Sequence, residues 1–239
     1  MNTIKIDKYF KGMIANRGLS GIETENTIFA FLAAANRSYM GICGDLCVSR
    51  DGKIIITSDD TLLRLGLLNL YIPSFNYDEL KKFSLVDRKT ANLNPNLFIP
   101  LLSDLLSISS AYRKSVFLNI PEAFKHEHLD RVIEEAEDFY NSKNIFFLSG
   151  NRKVLQYLNK RVENSRIFLN VDKPDEETFD FCKNNGFNMN VKYSHVNSET
   201  VKRMHLIGLK VSTGVVNDKD LAEKLIKHDV DFVFTDILE

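Results

Sequence analysis

The sequence has no excess of either charge and no cysteine framework, and each absence closes off a class of function. Lys and Arg number 31 against 32 Asp and Glu, for a net charge of −1. No broad field therefore draws the chain to nucleic acid or to an anionic membrane. Three cysteines, Cys43, Cys47 and Cys182, make an odd set without disulfide spacing. A chain of 239 residues buries enough surface to be stable without them. The opening Met-Asn-Thr-Ile-Lys-Ile-Asp-Lys carries charges where a leader peptide has its apolar core. No apolar run reaches the roughly 18 residues of a membrane-spanning helix. A reduced, cytoplasmic setting without a membrane span is the expectation. Five prolines, eleven glycines and no polar tract argue against a long linker, so 1–239 is expected to form a single domain.

What the chain does contain is alternation. Short apolar runs at 13–15, 41–47, 54–58, 116–120, 144–148, 166–170, 187–191, 209–213 and 232–235 read as strands. Amphipathic stretches at 26–36, 77–83, 102–112, 127–140, 152–158, 176–184, 198–206 and 218–227 lie between most of them. The clearest is 127–140, where Leu129, Val132, Ile133 and Ala136 share one face at helical spacing. Asn217-Asp218-Lys219-Asp220 and Pro174-Asp175-Glu176-Glu177 supply helix-start signals. Strand–helix alternation implies a parallel sheet covered by helices. A (β/α)8 TIM-type barrel with one extra strand, joined through the turn at Arg50-Asp51-Gly52, fits the count; an open doubly wound sheet is the competing arrangement. No sequence repeat is evident beyond the alternation. In a barrel the chemistry gathers at the carboxyl ends of the strands.

The stretch Ile14-Ala-Asn-Arg-Gly-Leu-Ser-Gly-Ile-Glu-Thr-Glu-Asn-Thr27 resembles the opening signature of the glycerophosphodiester phosphodiesterase family, His-Arg-Gly followed by Ser and Pro-Glu-Asn-Thr. Arg17, Gly18, Ser20, Glu25, Asn26 and Thr27 match it. Asp45 matches within the family's Glu-x-Asp, and Ser49-Arg50-Asp51-Gly52 its Asp-Gly turn. Ile99-Pro100, Gly208-Leu209-Lys210-Val211 and Val230 to Asp236 resemble later segments. The resemblance therefore runs nearly the whole chain and implies a barrel. It also implies phosphodiester cleavage with a divalent cation held by carboxylates, two proton-shuttling histidines, and an Arg and a Lys on the phosphate.

Measured against that chemistry, the site is eroded. Asn16 and Ser58 stand at the positions of the two histidines, and neither titrates near neutrality. Cys43 stands for the glutamate of Glu-x-Asp, leaving Asp45 as a remnant metal ligand. Asn119 aligns with a third carboxylate and Pro121 with the lysine. Shifting the register to use Glu122 puts it on the opposite face of the strand. The family's tryptophan is missing as well; Ser212 or Thr213 stands near its place. Each general acid–base group typically contributes about 10²–10⁴-fold, so loss of both implies little turnover by that route. No cofactor is expected beyond, at most, a weakly held calcium or magnesium ion.

Substitutes are few. His126, His128, His205 and His228 sit near helix ends, where a dipole contact accounts for the last two. His195 follows a strand on the active rim. Cys43, Asp45 and Cys47 share a strand face, but the two thiols lie about 13 Å apart along it, too far for one ion. Small side chains filling a barrel interior are the plainer account. Arg17 is the foremost ligand-binding candidate; its alternative is an ion pair with Asp45 or Glu25. Glu25, Asn119 and His195 are further binding candidates, with Glu25 equally suited to a structural role. The leading expectation is a catalytically degenerate relative that binds a small phosphorylated or polyol ligand. The alternatives are a working hydrolase built around His195 and Asp45, and a regulatory or interaction module with no partner legible.

Overall fold

The computed structural model describes residues 2–7, 9–139 and 142–239. Its chain order is β1 (Met13–Ala15), α1 (Ile28–Ala35), β2 (Gly41–Val48), β3 (Ile54–Ile56), α2 (Leu63–Gly66), α3 (Tyr77–Leu80), β4 (Leu85–Val86), β5 (Leu93–Asn94), α4 (Leu102–Ala111) and β6 (Ser115–Asn119). It continues with α5 (His126–Phe139), β7 (Ile145–Ser149), α6 (Arg152–Leu158), β8 (Ile167–Val171), α7 (Glu176–Asn185), β9 (Asn188–Lys192), α8 (Ser198–Leu206), β10 (Val211–Gly214), α9 (Lys219–Lys227) and β11 (Phe232–Thr235). Strands β1, β2 and β6 to β11 pair in parallel, and β1 closes on β2. The result is a closed (β/α)8 barrel, not an open sheet. β3 lies antiparallel on β2 outside the ring, with Leu46 opposite Ile56. The turn joining them places Gly52 at φ 75, a conformation glycine adopts without steric cost.

The predicted strands lie within one or two residues of these; that at 54–58 stops at Ile56. Past it, the Thr57 N–H donates to the Asp45 carbonyl (2.9 Å). The predicted helix at 77–83 is one turn long: Asn76 and Glu79 cap its start, and it ends at Leu80. The end of the helix predicted at 127–140, Tyr140, lies outside the described residues. α2, β4 and β5 were not predicted. They belong to a segment between β3 and α4 with its own core of Ile55, Leu62, Leu65, Ile72, Leu80 and Ile99.

Two further apolar layers organise the ring. Between barrel and helices lie residues such as Leu129, Val132, Ile133 and Ala136, all buried, as the helical spacing predicts. Inside the barrel, Ile14, Cys43, Phe117, Leu148, Phe168, Phe232 and Phe234 form a plug. Phe117 stacks on Phe146 at 4.7 Å and meets Phe232 and Phe234 edge-on at 5.5 and 5.4 Å. Cys43 fills this interior, whereas Cys47 does not. Cys47 sits where β2 runs past the ring, and it packs against the separate core of the inserted segment. Cys182 is buried in α7 packing.

Candidate functional site

Directly above the aromatic plug, the next inward layer is polar. Side chains alternate along a strand, so two residues beyond Phe117 and Phe168 the same face carries Asn119 and Asn170. Parallel register sets Asn119 beside Asp45, Asn170 beside Asn190, and Asn190 beside Ser212. These groups bond in series. Ser212 Oγ donates to Asn190 Oδ1 (2.9 Å), Asn190 Nδ2 to Asn170 Oδ1 (3.0 Å), Asn170 Nδ2 to Asn119 Oδ1 (3.1 Å), and Asn119 Nδ2 to Asp45 Oδ1 (2.9 Å). An ionised carboxylate only accepts. Asp45 thus fixes which way Asn119 points, and every amide after it. Each bond polarises the next.

The other Asp45 oxygen faces β1 and its loop. Asn26 Nδ2 donates to Asp45 Oδ2 (3.0 Å), and Arg17 Nε lies 2.7 Å from it. That Arg17 contact is a charge contact and not an aligned hydrogen bond, because the buried Nε has no hydrogen-bond acceptor. Backbone geometry aims both residues. Arg17 and Asn26 have φ of 56 and 52, and Gly18 has φ 73. Asparagine tolerates this region better than arginine, for which it costs on the order of 1 kcal/mol. Gly18 is required for a second reason: a Cβ there would lie 2.6 Å from the Ala30 backbone. Thr27 then caps α1 through its Oγ1.

Arg17 also bridges to Glu25 (2.8 Å), so both of its predicted ion-pair partners are present. Glu25 in turn takes Arg64 (2.8 Å) and the Ser58 hydroxyl (2.9 Å). Burial disfavours its ionisation. The Arg64 hydrogen bonds, the Arg17 and Arg64 charges and the Ser58 hydroxyl outweigh burial and hold its carboxyl at about 2. Arg17 is raised: burial opposes its charge, but Asp45 and Glu25 favour it more. Burial pushes the Cys43 thiol far up, with Asp45 adding to the effect.

The structure brings together Asn16, Arg17, Cys43, Asp45 and Asn119 around a cavity of about 180 Å³. A neighbouring cavity of about 280 Å³ joins Arg17 and Glu25 to Arg88, Asn217 and Asp236. Here Asn16, Ser20 and Asn217 all donate to Asp236 (2.9, 2.8 and 2.7 Å). A third, of about 480 Å³, extends from Asn119 and Asn170 to Glu122, Asp172 and Lys192. Glu122 thus faces the mouth. β6 ends at Asn119, so the alternation that would turn Glu122 away does not extend to it. Ser58 turns instead toward Glu25 and Arg64. His195 is not among the residues lining these cavities; its Nδ1 lies 2.9 Å from the carbonyl of Asp172, which lines the third. Among the remaining histidines, His205 meets Asp231 and His228 meets Ser198, both at helix ends.

Asn170, Asn190, Ser212, Arg64 and Asp236 were not singled out from the sequence as site residues. A signal existed for one of them. Residues 116–120 read Val-Phe-Leu-Asn-Ile and Ile167–Val171 read Ile-Phe-Leu-Asn-Val. This short repeat places Asn170 in the same layer as Asn119. Among the described residues, no three of His, Cys, Asp and Glu converge as a group able to hold a metal ion. No described helix is long and apolar enough to cross a membrane.

Comparison with known proteins agrees with the architecture. An Oleispira antarctica phosphodiesterase solved with the product sn-glycerol-3-phosphate superposes with a TM-score of 0.87 at 23% identity, covering 97% of this chain and 95% of that one. A glycerophosphodiester phosphodiesterase from Thermotoga maritima gives 0.75 at 23% identity, covering 94% and 93%. Among sequences, an uncharacterized protein of Bacillus subtilis is 25% identical over 237 residues, 95% of each chain. A glycerophosphodiester phosphodiesterase of Bacillus altitudinis is 23% identical over 231 residues, 94% of each. The profile of the glycerophosphoryl diester phosphodiesterase family matches residues 17–239. On that match, the chain belongs to the glycerophosphoryl diester phosphodiesterase family.

Proposed function

We propose that this family member holds a small phosphorylated or polyol ligand at its barrel mouth and does not turn it over efficiently. The observation that carries the reading is the engagement of Asp45. Its two oxygens are taken up by Arg17, Asn26 and Asn119. A hard divalent cation does not fit these residues. Its affinity rises with the number of carboxylates around it, yet among the described residues Asp45 is the one carboxylate lining its cavity. Asn119 gives its oxygen to Asn170, and burial keeps the Cys43 thiol protonated. Asn16 and Ser58 cannot relay protons near neutral pH.

Anion binding draws on Arg17 and Arg88, which line one cavity. The Arg17 side chain is 33% exposed, and a phosphate oxygen would meet its guanidinium on that open side. Hydroxyl groups suit the neighbouring amides and the Glu122, Asp172 and Lys192 side chains. sn-Glycerol-3-phosphate, the product bound by the Oleispira phosphodiesterase, combines both chemistries. The test is a pair of assays on the purified chain. Glycerophosphocholine should not be hydrolysed measurably with calcium or magnesium. sn-Glycerol-3-phosphate should raise the melting temperature equally with and without EDTA, and that shift should vanish in Arg17→Ala. Metal-dependent hydrolysis abolished by Asp45→Ala would overturn the proposal.

A further inference from the structure

At the opposite end of the barrel from Asp45, the turns leading into β7 to β10 enclose a separate cavity of about 590 Å³. Nothing in the proposed ligand chemistry of the mouth involves it. Its inner wall is aromatic: Phe146, half-buried, lines it and stacks on Phe117 within the plug. Among the described residues, Lys143, Arg166 and Lys210 line the cavity beside one acid, Glu163. Lys210 also lies over the neighbouring Phe232 ring, 5.5 Å from its centroid. Two of these turns are pinned together by Asn188, which is 3% exposed. Its Nδ2 donates to the Ser165 carbonyl (2.8 Å), and its Oδ1 accepts the Lys210 N–H (2.9 Å). Ile207 supplies an apolar lip.

An aromatic wall beside three cations suits one ligand type better than either element alone. A flat ring stacks on Phe146, and a negative group lies among the cations, at a site partly withdrawn from water. Burial lowers Arg166 from its ordinary value although the Glu163 and Glu137 carboxylates favour its charge, and its Nη1 donates to the Ile145 carbonyl (3.5 Å). We propose that this cavity is a second binding site, taking a small aromatic anion of the nucleoside monophosphate type. Phe146 receives the base, and Lys143, Arg166 and Lys210 receive the phosphate.

Helix C-termini also point toward this end of the barrel, and cations there answer the helix dipoles. Ligand titration separates the two roles. Equilibrium dialysis of the full chain with AMP should show one saturable site. Lys210→Glu, an exposed position that leaves the fold intact, should weaken that site by about tenfold or more. Arg17→Ala should leave it unchanged, and adenosine without phosphate should bind far more weakly than AMP. Absence of saturable AMP binding would overturn the proposal and leave the cations as dipole partners only. Binding lost in Arg17→Ala but kept in Lys210→Glu would overturn it equally, by assigning the anion to the mouth.

Discussion

Two layers of one barrel, a single strand repeat apart, are held together by different physics. The lower layer packs Phe117, Phe168, Phe232 and Phe234 with Leu148. The upper layer runs Ser212, Asn190, Asn170 and Asn119 into Asp45. Burial of apolar area is non-directional and rewards any good fit. An amide chain has a direction, and here one charge sets it. The lower layer therefore specifies volume, and the upper layer specifies orientation. The same strands supply both because their inward side chains recur every second residue.

The largest effect should come from the lower layer. Phe117→Ala removes a fully buried ring that touches several others and should cost about 3–5 kcal/mol. Urea unfolding should show it as a lower midpoint with an unchanged slope. Asp45→Ala should follow at about 2–3 kcal/mol, since it unpairs Asn26 and Asn119 and removes one of the two carboxylates facing Arg17. The loss is moderated because the Arg17 side chain is 33% exposed and water can reach it. Asn170→Ala should cost about 1–2 kcal/mol by unpairing Asn119 and Asn190. If Asn170→Ala proved costlier than Phe117→Ala, the division of labour between the layers would be wrong.

The smallest effect is a titration. The carboxyl of Glu25 sits at about 2, below its ordinary 4.5. Its contribution is therefore complete above about 4.5 and fades as pH falls toward 2. Glu239 behaves alike. Burial opposes its ionisation, and bonds from Ser38, Thr3 and Lys5 bring it to about 2. Melting temperature should fall over that window, and Glu25→Gln should flatten the part of the decline due to Glu25.

The fold was legible because strand and helix periodicities differ and this chain keeps them separate. The face of α5 shows it: Leu129, Val132, Ile133 and Ala136 are buried as their spacing predicts. The inserted segment was not legible, since β4 and β5 are two residues each and carry too little pattern to read. The site was half legible. Arg17, Asp45 and Asn119 converge where the barrel rule gathers strand ends. Asn170 and Asn190 went unread because asparagine in a strand carries no chemical flag until the register sets it beside another amide. Glu122 was misread because alternation was extended beyond the end of β6. His195 was weighed by its position after a strand, yet a backbone carbonyl claims its ring.

Asp45 anchors a hydrogen-bonded amide chain, and we propose that it does so without holding a cation. Calorimetric titration of the purified chain with calcium tests it most directly. No saturable heat at millimolar calcium is the predicted result. A stoichiometric binding isotherm that disappears in Asp45→Ala would contradict the account.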